Sequence, residues 1–146
     1  MRTFRMAGKI ADEIREQVRQ RANLLCEYCH TKERWQYVRF TVDHVVPSED
    51  SSPGNLALAC FHCNHRRSDK IVAVDPETGE TVQIFNPRRH IWKKHFAWSA
   101  DGLHIVAVTS IGRATATLLE LNRERILFIR QADVVVKRHP PINDLN

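Results

Sequence analysis

Two Cys-x-x-Cys pairs, Cys26-Glu27-Tyr28-Cys29 and Cys60-Phe61-His62-Cys63, constrain this chain more than any other feature. Each short loop aims two sulfurs at one point, and four thiolates in a tetrahedron are what Zn²⁺ prefers. Cys26, Cys29, Cys60 and Cys63 are therefore expected to close one structural zinc site, with disulfides or unrelated buried thiols as the alternative. A closed four-sulfur shell has no open position, so such a zinc holds a fold together and does no chemistry. Thirty residues separate the pairs, more than the ~15–20 of a simple zinc ribbon, so structure is expected between them.

At 146 residues with 42% apolar content, the chain has enough material for one core. The expectation is one domain over 1–146, with a core at about 22–72 and an accessory extension at about 73–140. No repeat, low-complexity stretch or linker composition breaks it. The N-terminal run MRTFRMAGKIADEIREQ lacks the apolar segment of a signal peptide, and no run approaches transmembrane length. A cytoplasmic protein with no membrane partner is expected, which fits cysteines kept as metal ligands. The net charge of +5 favours a polyanionic partner without identifying one.

Along the chain, Ile10, Ile14, Val18 and Leu25 recur at helical spacing among charged residues, predicting one amphipathic helix from Ile10 to Leu25. Its Arg15, Arg19 and Arg21 face either a nucleic-acid backbone or solvent. Trp35 to Val46 reads as a strand or a two-stranded hairpin, Pro47 to Gly54 as loop, and Asn55 to Ala59 as a return to the core. Asn64 to Lys70 is compatible with a short helix. Ile71–Val74 and Thr81–Phe85 predict a hairpin around a turn containing Pro76 and Gly79. A strand over Leu103–Thr109, a helix capped by Thr109 or Ser110, and a second helix from Asn122 to about Lys137 complete the chain. The fold class is α+β.

Between the cysteine pairs lie residues suited to chemistry. Asp43 offers a hard oxygen ligand for Mg²⁺ or Mn²⁺, and the adjacent His44 an imidazole able to take a proton from water near neutral pH. Successive strand residues point to opposite faces, so the two act together only at a bend, a bulge or a strand end.

The ordered set Cys26-x-x-Cys29, Val42-Asp43-His44-Val45-Val46-Pro47, Gly54-Asn55-Leu56 and Cys60-x-x-Cys63-Asn64-x-x-Arg67 resembles the HNH endonuclease family, whose active site is a ββα-metal motif. The likeness spans about residues 22 to 70. It implies a ββα core held by the four-cysteine zinc site, with a helix before it and a hairpin, a strand and helices after it. It makes His44 the general base, Asp43 a ligand of a catalytic divalent cation, Asn55 the residue that fixes the loop and orients the base, and Asn64 a second ligand of that cation. The family's third letter is often His, so this is a His-Asn-Asn variant. An amide oxygen there favours Mg²⁺ or Mn²⁺ over softer metals. His62 and His65 are neighbours able to substitute as ligands, and are read as surface histidines or as residues behind the ligands. The implied activity is hydrolysis of DNA, less so RNA, to 5′-phosphate and 3′-hydroxyl ends. The rival is an inactive zinc-stabilised nucleic-acid-binding module. A double-strand cut by one small site needs a dimer or two nicks, so a homodimer is possible.

Arg66, Arg67 and Lys70 follow the second knuckle and face either phosphates or solvent. The stretch from Asp75 to Glu124 resembles an extension that accompanies the core in one group of bacterial HNH proteins. Within it Arg88, Arg89, Lys93 and Lys94 interleave with Trp92, Phe96 and Trp98. This suits DNA, or else the aromatics are core and the bases their solvent face. His90 and His95 lack ligand spacing and read as satisfied surface histidines.

Overall fold

The computed structural model describes residues 10–145. The reading of the first nine residues and of Asn146 lies outside them. The chain divides into two compact units, Met1–Asp69 with Asn86–Arg89, and Lys70–Phe85 with His90–Asn146. The class is α+β, as expected: α-helices and small antiparallel two-stranded sheets.

In the first unit, helix α1 spans Asp12–Arg21, with Asp12 and Glu13 in its first turn and Arg19 and Arg21 in its last, which complements the helix dipole. It stops short of the expected Leu25 because Asn23 and Leu24 take left-handed backbone (φ 55° and 58°), and the Leu24 N–H turns back to the Arg19 carbonyl. That sharp turn leads the chain directly into the first knuckle. The arginines of α1 are engaged by the protein itself. Arg19 is buried and pairs with Glu33, Arg15 donates to the Ile10 carbonyl, and Arg21 donates to the Pro53 and Leu56 carbonyls at 2.9 and 2.7 Å.

Strands β1 (Thr41–His44) and β2 (Leu56–Ala59) pair antiparallel with Asp43 opposite Ala57 and His44 opposite Leu56, and helix α2 (Phe61–Arg67) follows. This is a ββα unit. The expected strand over Trp35–Val46 is confined to its last part: residues 33–35 form a 3₁₀ turn and the partner of β1 is β2, across a long loop. The run Leu56-Ala57-Leu58-Ala59 is buried at every position. It therefore lacks the alternation by which a half-exposed strand announces itself.

In the second unit, β3 (Val72–Val74) and β4 (Thr81–Gln83) form the expected hairpin. Asp75, fully buried, organises its turn by accepting from the Glu77 N–H and the Thr78 hydroxyl and by taking both Arg113 Nε (3.0 Å) and Nη2 (2.8 Å). The Arg113 guanidinium holds the Asp75 carboxyl down at about 2. β5 (Phe96–Trp98) pairs with β6 (Ile105–Ala107), so the interleaved aromatic and basic stretch hides a strand that its sequence pattern did not suggest. Helix α3 (Ser110–Leu119) begins where expected, its first turn capped by Thr109 Oγ1 accepting from the Gly112 N–H at 3.0 Å. Helix α4 spans Glu124–Val135. No helix among the described residues is long and apolar enough to cross a membrane.

Gly112 marks a very close approach in this unit. A Cβ built there runs into the His95 backbone carbonyl and lies 3.3 Å from Ala107 Cβ. That carbonyl also accepts the Val108 N–H at 2.9 Å, so it is not free to retreat. Gly112→Ala is therefore expected to destabilise the protein by about 1–3 kcal/mol, outweighing the helix-propensity gain of about 1 kcal/mol, and to lower the thermal midpoint in calorimetry. An unchanged or raised midpoint would show that α3 can move away without loss.

Candidate metal centre and active-site cleft

The four cysteines meet as expected. Their sulfurs lie within 4.8 Å of one another, all four residues are buried, and none forms a disulfide. Cys29 Sγ and Cys60 Sγ are 3.8 Å apart. A tetrahedron with Zn–S bonds of about 2.3 Å has edges of about 3.8 Å, so the separation is the one that zinc needs. The local fold builds it from two turns. In the first knuckle the Cys26 N–H donates to the Thr31 carbonyl and the His30 N–H to the Cys26 carbonyl, folding the loop on itself. In the second, Cys60 is the N-cap of α2 and its sulfur accepts from the Cys63 N–H at 3.4 Å.

The crowding shows in the titration. Hydrogen bonds from the Cys26, Cys60 and Cys63 thiols hold Cys29 well below the usual thiol value. Burial, with help from the Cys29 and Cys60 sulfurs, pushes Cys26 well above it, and the hydrogen bonds to Cys26, Cys29 and Cys60 do the same to Cys63. Without a cation, the cluster accommodates negative charge poorly; a divalent metal removes that penalty.

Asp43 and His44 end β1, where the strand gives way to loop, so the alternation of faces no longer keeps them apart. Both line a small cleft together with Pro47, Arg67, Ser68 and Asp69. His44 is mostly buried, and its Nε2 lies 2.9 Å from Ser51 Oγ. Asp43 keeps part of its carboxylate exposed, with Oδ2 at 3.7 Å from Arg67 Nη2.

Asn55 is a clamp on the loop between the strands. Its Oδ1 accepts from the Val46 N–H at 3.0 Å, while Nδ2 donates to the Val46 carbonyl at 3.0 Å, the Asp50 carbonyl at 2.9 Å and Ser48 Oγ at 3.3 Å. One amide thus closes residues 46–50, the segment that leads to Ser51 and so to the His44 ring. Replacing Asn55 by alanine leaves several of these groups without a partner and is expected to cost about 1–3 kcal/mol. Asn55→Asp is expected to fail as well, since a carboxylate would face the Val46 and Asp50 carbonyls that the Nδ2 donor satisfies now. Urea titrations of the two variants against the parent check this, and wild-type stability in Asn55→Asp would show that the donor side is dispensable.

Two residues expected to meet phosphates are used inside the protein instead. Arg67 is buried: Nη1 donates to the Val45 carbonyl at 2.9 Å, Nη2 donates to the His44 carbonyl, and its guanidinium carbon lies 5.9 Å from the Tyr28 ring centroid. It braces the end of β1 against the first knuckle, a role that only the packing of α2 on β1 creates. Arg88 is ion-paired with Glu27, whose Oε2 accepts the Leu58 N–H at 2.9 Å, so it secures the 86–89 segment within the first unit. Arg66 is half-buried, whereas Arg89, Lys70, Lys93 and Lys94 are exposed and keep the surface position expected of them.

Asn64 lies half-buried on α2 and outside the lining of the cleft, so the structure does not bring it to the wall shared by Asp43 and His44. Asp69 does line that wall, and the sequence reasoning missed it. Nothing in the polar run after Arg67 distinguishes it; the turn after α2, with Ser68 at φ 53°, carries it there. Ser51 was missed in the same way, as one serine of a loop read only by composition. Among the other histidines, His95 Nδ1 pairs with Thr109 Oγ1 at 2.7 Å and its ring lies 5.3 Å from that of His90, consistent with satisfied side chains.

Compared with known families, residues 24–70 match the model for HNH endonuclease. The match covers about a third of the chain, from the turn after α1 to the end of the cleft. No curated protein and no solved structure matches the chain.

Proposed function

We propose that this HNH segment is the catalytic core of a metal-dependent endonuclease that hydrolyses DNA phosphodiesters to 5′-phosphate and 3′-hydroxyl ends. The observation that carries it is the cleft at the end of β1, which gathers an imidazole and two carboxylates, His44, Asp43 and Asp69, inside the matching segment. Two hard oxygen donors on one small wall, Asp43 and Asp69, suit Mg²⁺ or Mn²⁺ and would hold it, with Asp69 in the part that the family pattern gives to Asn64. When bound there, the cation stabilises the negative charge that develops on the phosphate and on the leaving 3′ oxygen.

The protein's own residues do the rest. His44 accepts a proton from water as the water oxygen bonds to phosphorus and the 3′ oxygen departs. His44 Nε2 lies 2.9 Å from Ser51 Oγ, a contact that orients the ring for this transfer. Asn55 keeps the Ser48–Ser51 segment in place and so holds the ring at a fixed angle. Arg67 ties down the backbone carbonyls of His44 and Val45 and leans on Asp43, so the ligand carboxylate and the base keep one spacing through the reaction. The four-cysteine site does no chemistry and holds α2, and with it Arg67 and Asp69, against β1.

The test is incubation of zinc-loaded protein with supercoiled plasmid and Mg²⁺ or Mn²⁺, with the ends mapped by ligation and kinase labelling. Nicked or linear DNA with 5′-phosphates is the expected product. Binding without cleavage of any DNA or RNA, in either metal, would replace the nuclease with a zinc-stabilised binding module.

A further inference from the structure

The first unit carries a protrusion that the cleavage chemistry does not use, and its neck is tied at both ends. The Glu33 N–H donates to the Leu24 carbonyl at 2.9 Å, while the Glu33 carboxylate accepts the Phe40 N–H at 2.6 Å and pairs with buried Arg19. Phe40 is itself buried, so residues 34–39 are pushed outward between two fixed points. The loop is set before any partner arrives.

What projects is aromatic and basic. Tyr37 has a relative exposure of 103%, which leaves both faces of its ring open, and Val38 beside it is 61% exposed. Arg34 and Arg39 flank the pair, and both are exposed. The Arg34 guanidinium lies 5.2 Å from the Trp35 ring centroid, and a guanidinium stacked on a ring keeps its N–H edges for donation. The one carboxylate of the stretch, Glu33, is spent inside the protein. The outward charge is therefore wholly positive.

The loop also adjoins the catalytic strand within the same unit. Arg39 stands two residues before β1 and His44 ends that strand. Five residues span at most about 17 Å, so with the reach of the side chains the loop meets a duplex seated at the cleft within about one helical turn, roughly 34 Å.

We propose that residues 34–39 form a DNA wedge, in which Tyr37 enters a base step and stacks there while Arg34 and Arg39 hold phosphates on either side. Every base has an aromatic face that a doubly open ring can meet, and arginine suits the phosphate beside it. Opening a base step costs stacking between the bases, which the new ring contact and the bent backbone's extra contacts offset. The wedge rests on the reading of the first unit as a nuclease core, and it adds a residue that distorts the substrate near the cut.

The experiment uses the full-length, zinc-loaded protein carrying His44→Ala, to prevent cleavage, and fluorescence anisotropy with a short labelled duplex over a range of salt. Tyr37→Ala is expected to weaken binding by about tenfold with the salt slope unchanged, and Tyr37→Phe to keep the parental affinity. Arg34→Gln and Arg39→Gln are each expected to reduce the slope of log affinity against log salt by about one. Because these side chains are exposed, the thermal midpoint of each variant should match the parent. Parental affinity in Tyr37→Ala, or a salt slope unmoved by both arginine variants, overturns the proposal. If Tyr37→Ala keeps its DNA affinity but releases the protein from anionic phospholipid vesicles, the loop is a membrane contact instead. If the protein with His44 intact cuts plasmid while these variants bind DNA as the parent does, this inference alone fails; if it neither cuts nor binds DNA, the nuclease reading fails with it.

Discussion

Replacing His44 by alanine is expected to lower plasmid cleavage by about 10²–10⁴-fold, the usual weight of a general base, while leaving the fold intact. The second half of that expectation comes from how the residue is held. Arg67 binds the His44 carbonyl and not its ring, and β1 pairs His44 with Leu56 through the backbone, so both survive the substitution. The ring meets the Ser51 hydroxyl in a half-buried loop, where loss of that hydrogen bond is tolerated. Circular dichroism and zinc content of the variant should match the parent. Equal cleavage by the parent and His44→Ala would remove His44 from the chemistry, whatever the cleft looks like. Ser51→Ala provides a graded companion: a ring that loses one anchor but keeps its basicity should lose less activity than the alanine variant.

The second large effect is expected at the sulfurs. Cys60→Ser should abolish stable zinc binding and unfold the first unit, because it removes one of the four candidate ligands while the serine hydroxyl still caps α2, so that the loss is read from the metal alone. Structural zinc contributes an apparent 10–16 kcal/mol or so in small zinc domains, which equals or exceeds the roughly 5–15 kcal/mol of a whole domain's stability. Metal analysis of the purified parent should find about one zinc per chain. In Cys60→Ser it should find none, with amide protection lost over residues 24–70. A protected ββα unit without zinc would mean that the cluster is a set of buried thiols and that packing alone holds it. A strong chelator at neutral pH should reproduce the loss in the parent, since it removes the cation that the four buried sulfurs are gathered to hold.

Several features of the structure were legible in the residues because they depend on local chemistry. The paired cysteines state their own geometry: a two-residue spacer admits few ways to aim two sulfurs, and two such pairs in one chain leave zinc as the economical answer. The Thr109 cap and the Asp75–Glu80 turn were legible for the same reason, as each depends on bonds within a few residues. Strand β2 was not, because all four of its side chains are buried and a short fully apolar run has no period to read. Strand β5 was obscured in the opposite way, by basic and aromatic neighbours that read as a surface for nucleic acid.

The division at the cleft is similar. Asp43, His44 and Asn55 were nominated from their order in the chain, and Asp43 and His44 fall on one wall with Asn55 clamping the loop beside it. The roles of the arginines could not be nominated in this way. An arginine in sequence is only a cation on a long flexible stem, and whether it meets phosphate or a buried carbonyl depends on what lies within its reach. Arg67 and Arg88 find partners inside the protein, while Arg89, Lys93 and Lys94 do not lie buried.

By itself, then, the sequence determined the four-sulfur site, which follows from short-range spacing, and through the family likeness it nominated the ββα order and the pair Asp43 and His44 at the end of β1. Only the tertiary structure decided that Asp69 and Ser51 join them, that Arg67 serves as a brace and that Asn64 stands back from the cleft. Those outcomes depend on how α2 and the long loop fold back on β1, and contacts between residues distant in the chain leave no periodic mark in it.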